Sequence, residues 1–416
     1  MSAPSAGRPR RIPRNLWAAS IASLLMDVSS EMVLNLVPLF LANVLGARTV
    51  VIGFIEGVAA AATSLLQMAA GTLSDRWHAR KWLTVGGYAV SALVKPGFYF
   101  AASWESVAGV RWADRVGKGI RTAPRDALVA DSIAPVDRGL AFGLHRAADT
   151  GGAMLGLLAA IVVVWLTERG AAQLTRGTFQ TLVLVSIIPA VLAVLTLAVG
   201  LVDVPVRSVG ERPRIAFSGL GRRFAVFMAI AALFDLGNFS DAFMILRAQE
   251  RGLGVTGVLG MLAAFNLVYA VLSTPAGSLS DRIGRKRIIV GGWLLYAAIY
   301  LGFAVAQSGR QIVALYVCYG VYYGLTTGTS KALLADLVPA SLRGTAFGTY
   351  NATLGLLDLP ASFIAGLLWQ GIGGWHGFGP SAPFFFGAAA ALAAAVLLAL
   401  FVPEPAAGAA QPTGAS

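Results

Sequence analysis

Long uninterrupted apolar runs, separated by short polar segments, recur along the whole chain. Three of them, residues 182–202, 288–306 and 383–402, each have about the 20 residues that an α-helix needs to cross the hydrocarbon core of a bilayer. A backbone in lipid must satisfy its own hydrogen bonds, and a single run of this length does so as a helix. The pattern therefore predicts an all-α membrane protein.

Hydropathy predicts twelve transmembrane helices, which we call spans 1 to 12. They lie near residues 16–44, 50–70, 82–102, 106–130, 139–165, 178–202, 223–247, 255–276, 288–307, 311–335, 344–369 and 381–402. The loops after the even-numbered spans contain most of the loop cations, including Arg80 and Lys81 in one loop and Arg285 and Lys286 in another. Because loops rich in Lys and Arg remain on the cytoplasmic side, both ends of the chain are expected in the cytoplasm.

The composition agrees with a membrane protein and argues against several other classes of protein. Of the 416 residues, 57% are hydrophobic and 12% are charged, whereas soluble domains carry about 25% charged residues. The positive-inside distribution accounts for most of the net charge of +12, so nucleic acid is not an expected partner. Because the chain has one cysteine and three scattered histidines, we expect no internal disulfide, no metal site and no cofactor. The sequence contains no Gly-x-Ser-x-Gly nucleophile motif, and an enzyme is not expected.

A sequence repeat relates the two halves of the chain. Residues 71–76, Gly-Thr-Leu-Ser-Asp-Arg, return as residues 277–282, Gly-Ser-Leu-Ser-Asp-Arg, and residues 127–131 and 138–143 return 205 residues later. Two repeats at nearly equal offsets indicate internal duplication, which predicts two pseudo-symmetric six-helix bundles. The predicted parts are a cytoplasmic N-terminal tail (1–15), the first bundle (16–202), a cytoplasmic linker (203–222), the second bundle (223–402) and a disordered C-terminal tail (403–416).

The repeated loop also carries a family resemblance. Gly71-x-Leu-Ser-Asp-Arg-x-x-x-Arg80-Lys81, between spans 2 and 3, resembles the signature loop of the major facilitator superfamily, and its copy after span 8 resembles the weaker repeat of that loop. The resemblance implies a secondary transporter without ATP hydrolysis, whose bundles rock about a central cavity lined mainly by spans 1, 4, 7 and 10. Seven loop residues are expected to gate the cytoplasmic side through charge pairs that form and break: Gly71, Asp75, Arg76, Arg80, Gly277, Asp281 and Arg282.

A second resemblance is to the antiporter branch of the superfamily. Arg115-Val-Gly-Lys-Gly119 fits its Arg-x-x-x-Gly pattern in span 4, and Gly143, Gly152 and Gly156 match the first three glycines of its span 5 motif. Leu157 stands where that motif has proline, and the closing Gly-Gly is absent. Since family comparison associates this motif with export, the departure leaves the direction of transport open.

Ionisable residues inside spans are costly and are therefore functional candidates. Span 1 contains Asp27 and Glu31 on one helical face, and span 7 contains Asp235 and Asp241. Ser30-Glu31 and Ser240-Asp241 resemble symmetry mates, which would place two carboxylates across the cavity. A carboxyl group in a partly dry cavity can exchange protons near neutral pH, as proton coupling requires. The alternative is a structural carboxylate paired with a cation.

Span 4 carries an unusual series of cations. Arg115, Lys118 and Arg121 recur every three residues, and span 5 adds Arg146 and Asp149. A cationic stripe facing the cavity would bind an anionic or zwitterionic solute. The alternative is that these cations balance the carboxylates of span 1.

These patterns predict a secondary active transporter that moves a small polar or amphiphilic solute by alternating access. The protein is expected to be a monomer in the bacterial inner membrane. The first hypothesis is proton-coupled efflux by an antiporter that uses the proton gradient as its energy source. The second is an importer or exchanger of an organic anion, such as a carboxylate or metal chelate, that uses the cationic stripe of span 4. A third, a non-transporting membrane sensor, lacks any soluble signalling domain.

Overall fold

A computed structural model describes residues 12–77, 80–134, 137–168, 173–203, 219–339 and 342–402. Within these ranges the chain is helical and has no strand, and the helices form twelve spans in two six-helix bundles, which confirms the predicted fold class. Most of the predicted linker and of both predicted tails lies outside the described ranges. The bounds are span 1, Arg14–Val44; span 2, Thr49–Trp77; span 3, Arg80–Val94 and Gly97–Phe100; span 4, Trp104–Asp131; span 5, Arg138–Glu168; span 6, Arg176–Gly200; span 7, Gly221–Leu236 and Ala242–Glu250; span 8, Val255–Ile283; span 9, Arg285–Val305; span 10, Gly309–Leu337; span 11, Arg343–Gln370; and span 12, Ala382–Phe401.

Eight of the described helices are long and apolar enough to cross a membrane. Spans 3, 4, 7 and 10 are shorter or less apolar, and each has a local reason. Pro96 interrupts span 3, and residues 237–241 interrupt span 7. Span 4 contains nine charged residues, and span 10 contains four tyrosines. Twelve crossings place both ends of the chain on one side of the molecule, which we call the terminal face; the other side is the opposite face.

The sequence repeat corresponds to a structural repeat. Arg80, at the start of span 3, donates to the Ala127 carbonyl and pairs with the Asp131 carboxylate at the end of span 4. Arg285 makes the equivalent contacts in the second bundle, at 2.9 Å to the Ala332 carbonyl and 2.6 Å to Asp336 Oδ2. These ion pairs join neighbouring spans within each bundle on the terminal face.

The structure describes two of the other predicted gating residues, Gly71 and Arg282. The Gly71 backbone approaches span 4, where an added Cβ would lie 3.4 Å from Ala123 Cβ, and Arg282 is exposed at the end of span 8. The side chains of Asp75, Arg76 and Asp281 and the surroundings of Gly277 lie outside the described part of the structure. Their gating role stays a prediction.

Spans 2 and 11 close the two bundles together at the opposite face. An added Cβ on Gly57 would lie 2.7 Å from Leu359 Cα, and one on Gly366 would lie 2.6 Å from Val50 Cα, so the helices touch at backbone distance. Beyond these glycines, the Arg48 guanidinium donates to the carbonyls of residues 370 and 371, both at 3.1 Å. The structure is therefore a conformer closed at the opposite face.

A larger residue at Gly57 should prevent this closure. Overpacking costs about 1–3 kcal/mol, which lowers the ratio of closed to open conformers roughly five-fold or more. We expect Gly57→Ala to increase labelling of Ser362→Cys by a membrane-impermeant maleimide applied at the opposite face, in a Cys318→Ser background. Gly86→Ala is the matched control, because nothing lies within 4 Å of its added Cβ. Equal labelling in both variants would contradict the closed contact.

Candidate functional site

A polar cavity of about 370 Å³ lies between the two bundles, within the usual range of roughly 300–1,000 Å³ for small-molecule sites. Spans 2 and 4 line it from the first bundle, and spans 7, 10 and 11 from the second. Spans 4, 7 and 10 were expected to line the cavity. The close approach of spans 2 and 11 brings these two spans to the cavity, and no span 1 residue is among its described lining residues.

The break in span 7 shapes one wall of the cavity. Residues 238–241 leave the helix, and the Ser240 N–H donates to Ser362 Oγ of span 11 at 3.1 Å. The Tyr296 hydroxyl donates to the Gly237 carbonyl at 3.1 Å, which satisfies a backbone acceptor freed by the break. Irregular backbone at membrane depth is tolerated where it is buried in protein or lines a cavity. The break therefore exposes Asn238 and Asp241 to the cavity.

A buried ion pair connects the first-bundle spans that line the cavity. Arg111 of span 4 donates from Nε at 3.0 Å and from Nη2 at 2.7 Å to the two carboxylate oxygens of Glu56 in span 2. Both residues are buried. Glu56 was not among the predicted site residues, although an acidic residue near the start of an apolar span was a signal that could have identified it. The pair neutralises two of the charges in the cavity wall.

The predicted cationic stripe of span 4 separates into two faces. Arg115 and Lys118 line the cavity. Arg121 instead donates to Ser91 Oγ of span 3 at 2.7 Å, and its guanidinium lies 4.3 Å from the Tyr88 ring centroid. Six residues rotate an α-helix by about 600°, so Arg121 points roughly 120° away from Arg115. Helical geometry therefore removes Arg121 from the cavity lining.

Acidic side chains line the second-bundle side of the cavity. Asp241 of span 7 accepts a hydrogen bond from the Tyr319 hydroxyl at 3.3 Å, and Asp358 of span 11 makes no hydrogen bond with the described residues. Asp235 lies outside the lining, but it interacts electrostatically with Asp358. Asp235 and Asp241 were predicted site residues and Asp358 was not, although a single acid inside an apolar span was a signal that could have identified it.

The two acids of span 1 have different surroundings. Asp27 makes no hydrogen bond with the described residues, and its electrostatic neighbours are Asp149 of span 5 and Lys118 of span 4. Glu31 accepts a hydrogen bond from Asn35 Nδ2 of its own span at 2.6 Å. Asp27 therefore has no hydrogen-bond partner among the described residues, whereas the carboxylate of Glu31 has one in its own span.

Span 5 contacts the second bundle through Arg146. Its Nη2 donates to the Tyr269 hydroxyl of span 8 at 2.9 Å. One turn further along span 5, Asp149 Oδ1 lies 3.8 Å from His145 Nε2, and His145 Nδ1 lies 3.4 Å from Ser20 Oγ of span 1. Span 5 therefore makes a polar contact with span 1 through His145 and another with the second bundle through Arg146.

Two repeated six-helix bundles around a charged cavity define an α-helical membrane transporter of the two-bundle type. The chain belongs to the Major Facilitator Superfamily, whose family model matches residues 19–264 and 225–416. This confirms the family resemblance of the repeated loop and identifies the chain as a multi-pass membrane transporter.

Related proteins match the chain over different lengths. The uncharacterized MFS-type transporter MJ1317 of Methanocaldococcus jannaschii is 33% identical over 409 residues, covering 94% of this chain and 96% of that protein. The quinolone resistance protein NorA of Staphylococcus aureus is 29% identical over 164 residues, covering 39% of this chain and 40% of NorA.

Solved structures share the fold. A nucleoside transporter, NupG, superposes with a TM-score of 0.76 and 13% identity, over 93% of this chain and 100% of that chain. A D-xylose–proton symporter superposes with a TM-score of 0.74 and 16% identity, over 95% of this chain and 99% of that chain.

Replacing one partner of the Glu56–Arg111 pair should destabilise the protein more than replacing both partners with apolar residues. Loss of one partner from a buried pair costs about 3–5 kcal/mol, whereas apolar replacement of both is roughly neutral. We expect Glu56→Leu and Arg111→Met each to lower the thermal unfolding midpoint in detergent, and the double variant to unfold nearer to wild type than either. Glu105→Gln, on an exposed turn, is the control. Additive losses in the double variant would show that the two side chains act independently.

Proposed function

We propose that the protein is a proton-coupled secondary transporter that exports a small polar solute without ATP hydrolysis. The observation that carries this proposal is that Asp27 has no hydrogen-bond partner among the described residues and interacts electrostatically with the Asp149 carboxylate and the Lys118 cation. The cation stabilises the ionised carboxylate and Asp149 opposes it, so small rearrangements of spans 1, 4 and 5 change the proton affinity of Asp27. A group whose proton affinity depends on conformation links proton movement to alternating access.

The comparisons support the coupling and the direction to different extents. The D-xylose–proton symporter carries out proton-coupled transport on the same fold, by the name of that protein. The similarity to NorA over 164 residues favours export, since that protein is named for quinolone resistance. The cationic loops on the terminal face favour a cytoplasmic location of both chain ends in the plasma membrane. The conformer closed at the opposite face would then be inward-facing.

A second candidate function is import or exchange of an organic anion. Arg115 and Lys118 both line the cavity, and this observation favours an anionic group in the solute. Transport of an anion with no response to an imposed pH gradient would support this function over proton-coupled export.

Proton coupling can be tested in liposomes that contain the purified protein and an imposed pH gradient. With a fluorescent quinolone as the first solute, we expect wild type to accumulate it against its gradient. Asp27→Asn should reduce accumulation at least about ten-fold while sparing downhill exchange, because the neutral amide carries no proton. Glu31→Gln tests the second acid of span 1 in the same way. Glu105→Gln is the control, and gradient-driven accumulation by both span 1 variants would exclude these residues from coupling.

A further inference from the structure

The ionisable side chains that line the cavity are sorted by sign between the two bundles. Arg115 and Lys118 come from span 4 of the first bundle, and Asp241 and Asp358 come from spans 7 and 11 of the second. The remaining lining charges, Glu56 and Arg111, neutralise each other in their buried pair. The cavity therefore has a cationic wall and an acidic wall of equal formal charge.

Charges on the two walls do not pair directly. Among the described residues no ion pair joins them: Lys118 and Asp358 have no hydrogen bond, and Asp241 accepts one from a neutral tyrosine at 3.3 Å. The carboxylate nearest to Arg115 belongs to Asp114 on its own helix, with an oxygen 4.0 Å away. Because these side chains have no direct counter-charge across the cavity, a bound solute that supplies both signs would gain attraction at both walls.

We propose that the transported solute is dipolar, with an anionic group that binds Arg115 and Lys118 and a cationic group that binds Asp241 and Asp358. This inference rests on the proposed transport function and names the class of its solute. Asn238, Tyr323 and Ser362 line the same cavity and offer neutral hydrogen-bonding groups between the two walls. The cavity volume of about 370 Å³ suits a small solute.

This arrangement discriminates against solutes with a single charge. An anion is attracted to the span 4 wall but repelled by the acidic wall, and a cation meets the reverse situation. Only a solute with both charges gains attraction at both walls. The cavity therefore selects its solute both by attracting opposite charges and by repelling a single charge at the wall of the same sign.

Equilibrium binding to the purified protein in an uncharged detergent tests the proposal without any ion gradient. The probes are a homologous series of unbranched ω-aminocarboxylates, each with its matched alkyl carboxylate and alkylamine. At the best chain length we expect the aminocarboxylate to bind at least about ten-fold more tightly than either single-charge analogue. Glycerophosphocholine is tested separately as a probe with the dipolar headgroup of a lipid. If it binds more tightly than the aminocarboxylates, the solute is a lipid headgroup compound, and the proposal of a dipolar solute is still supported.

Variants assign each charge to its wall. Asp358→Asn should remove the advantage of the aminocarboxylate over the carboxylate while leaving carboxylate binding intact or stronger. Lys118→Met should remove its advantage over the amine. Glu105→Gln, far from the cavity lining, should change neither ratio, and a thermal unfolding midpoint near that of wild type for each variant excludes misfolding as the cause.

Two results would overturn the dipolar assignment. One is a single-charge analogue that binds wild type as tightly as every aminocarboxylate, and the other is a complete lack of binding by every dipolar probe. Both differ from failure of the proposed function, because equilibrium binding needs no pH gradient. A protein that prefers dipolar solutes but does not respond to a pH gradient would retain this inference and lose proton coupling.

Discussion

The cost of placing charge inside a bilayer governs the organisation of this protein. Span 4 alone contains nine charged residues, and a helix with that composition cannot lie against lipid. Its charges are accommodated by contacts with other spans or by the cavity: Arg111 pairs with Glu56, and Arg125 donates to Ser23 Oγ at 2.9 Å and to the Tyr88 hydroxyl at 3.3 Å. Arg115, which lies 4.0 Å from an Asp114 oxygen on its own helix, and Lys118, whose side chain makes no hydrogen bond with the described residues, both line the cavity.

The two bundles share a backbone plan but divide the chemistry between them. Arg80–Asp131 and Arg285–Asp336 are equivalent ion pairs, which shows how closely the duplication is kept on the terminal face. Toward the cavity the bundles diverge. The first bundle supplies cations from span 4, and the second supplies acids beside a cluster of aromatic rings that includes the buried Tyr319 and the half-buried Tyr323. A duplicated scaffold with unlike walls can bind a solute that has unlike ends.

Movement between the bundles has a structural basis in how they touch. At the opposite face spans 2 and 11 meet through glycines at backbone distance, without ion pairs between the helices in the described residues. Opening this face must also break the hydrogen bonds that Arg48 and Thr49 make with residues 366, 370 and 371. The Arg146–Tyr269 hydrogen bond joins span 5 to span 8 and therefore crosses between the bundles. Asp149, which interacts electrostatically with Asp27, lies on the same span as Arg146. The proposed proton site is thus connected to a contact that must change as the bundles rock.

The sequence alone determined the number of spans, the duplication and the family. These follow from local hydropathy and from motifs repeated at a constant offset, which do not depend on how helices pack. The cavity lining depended on tertiary structure. Arg121 belonged to the same sequence pattern as Arg115, yet the rotation of span 4 directs it toward Ser91. Glu56 gained its importance only when span 2 met span 4 and the second bundle, because the angle and depth of each helix are set by long-range packing that no local pattern contains.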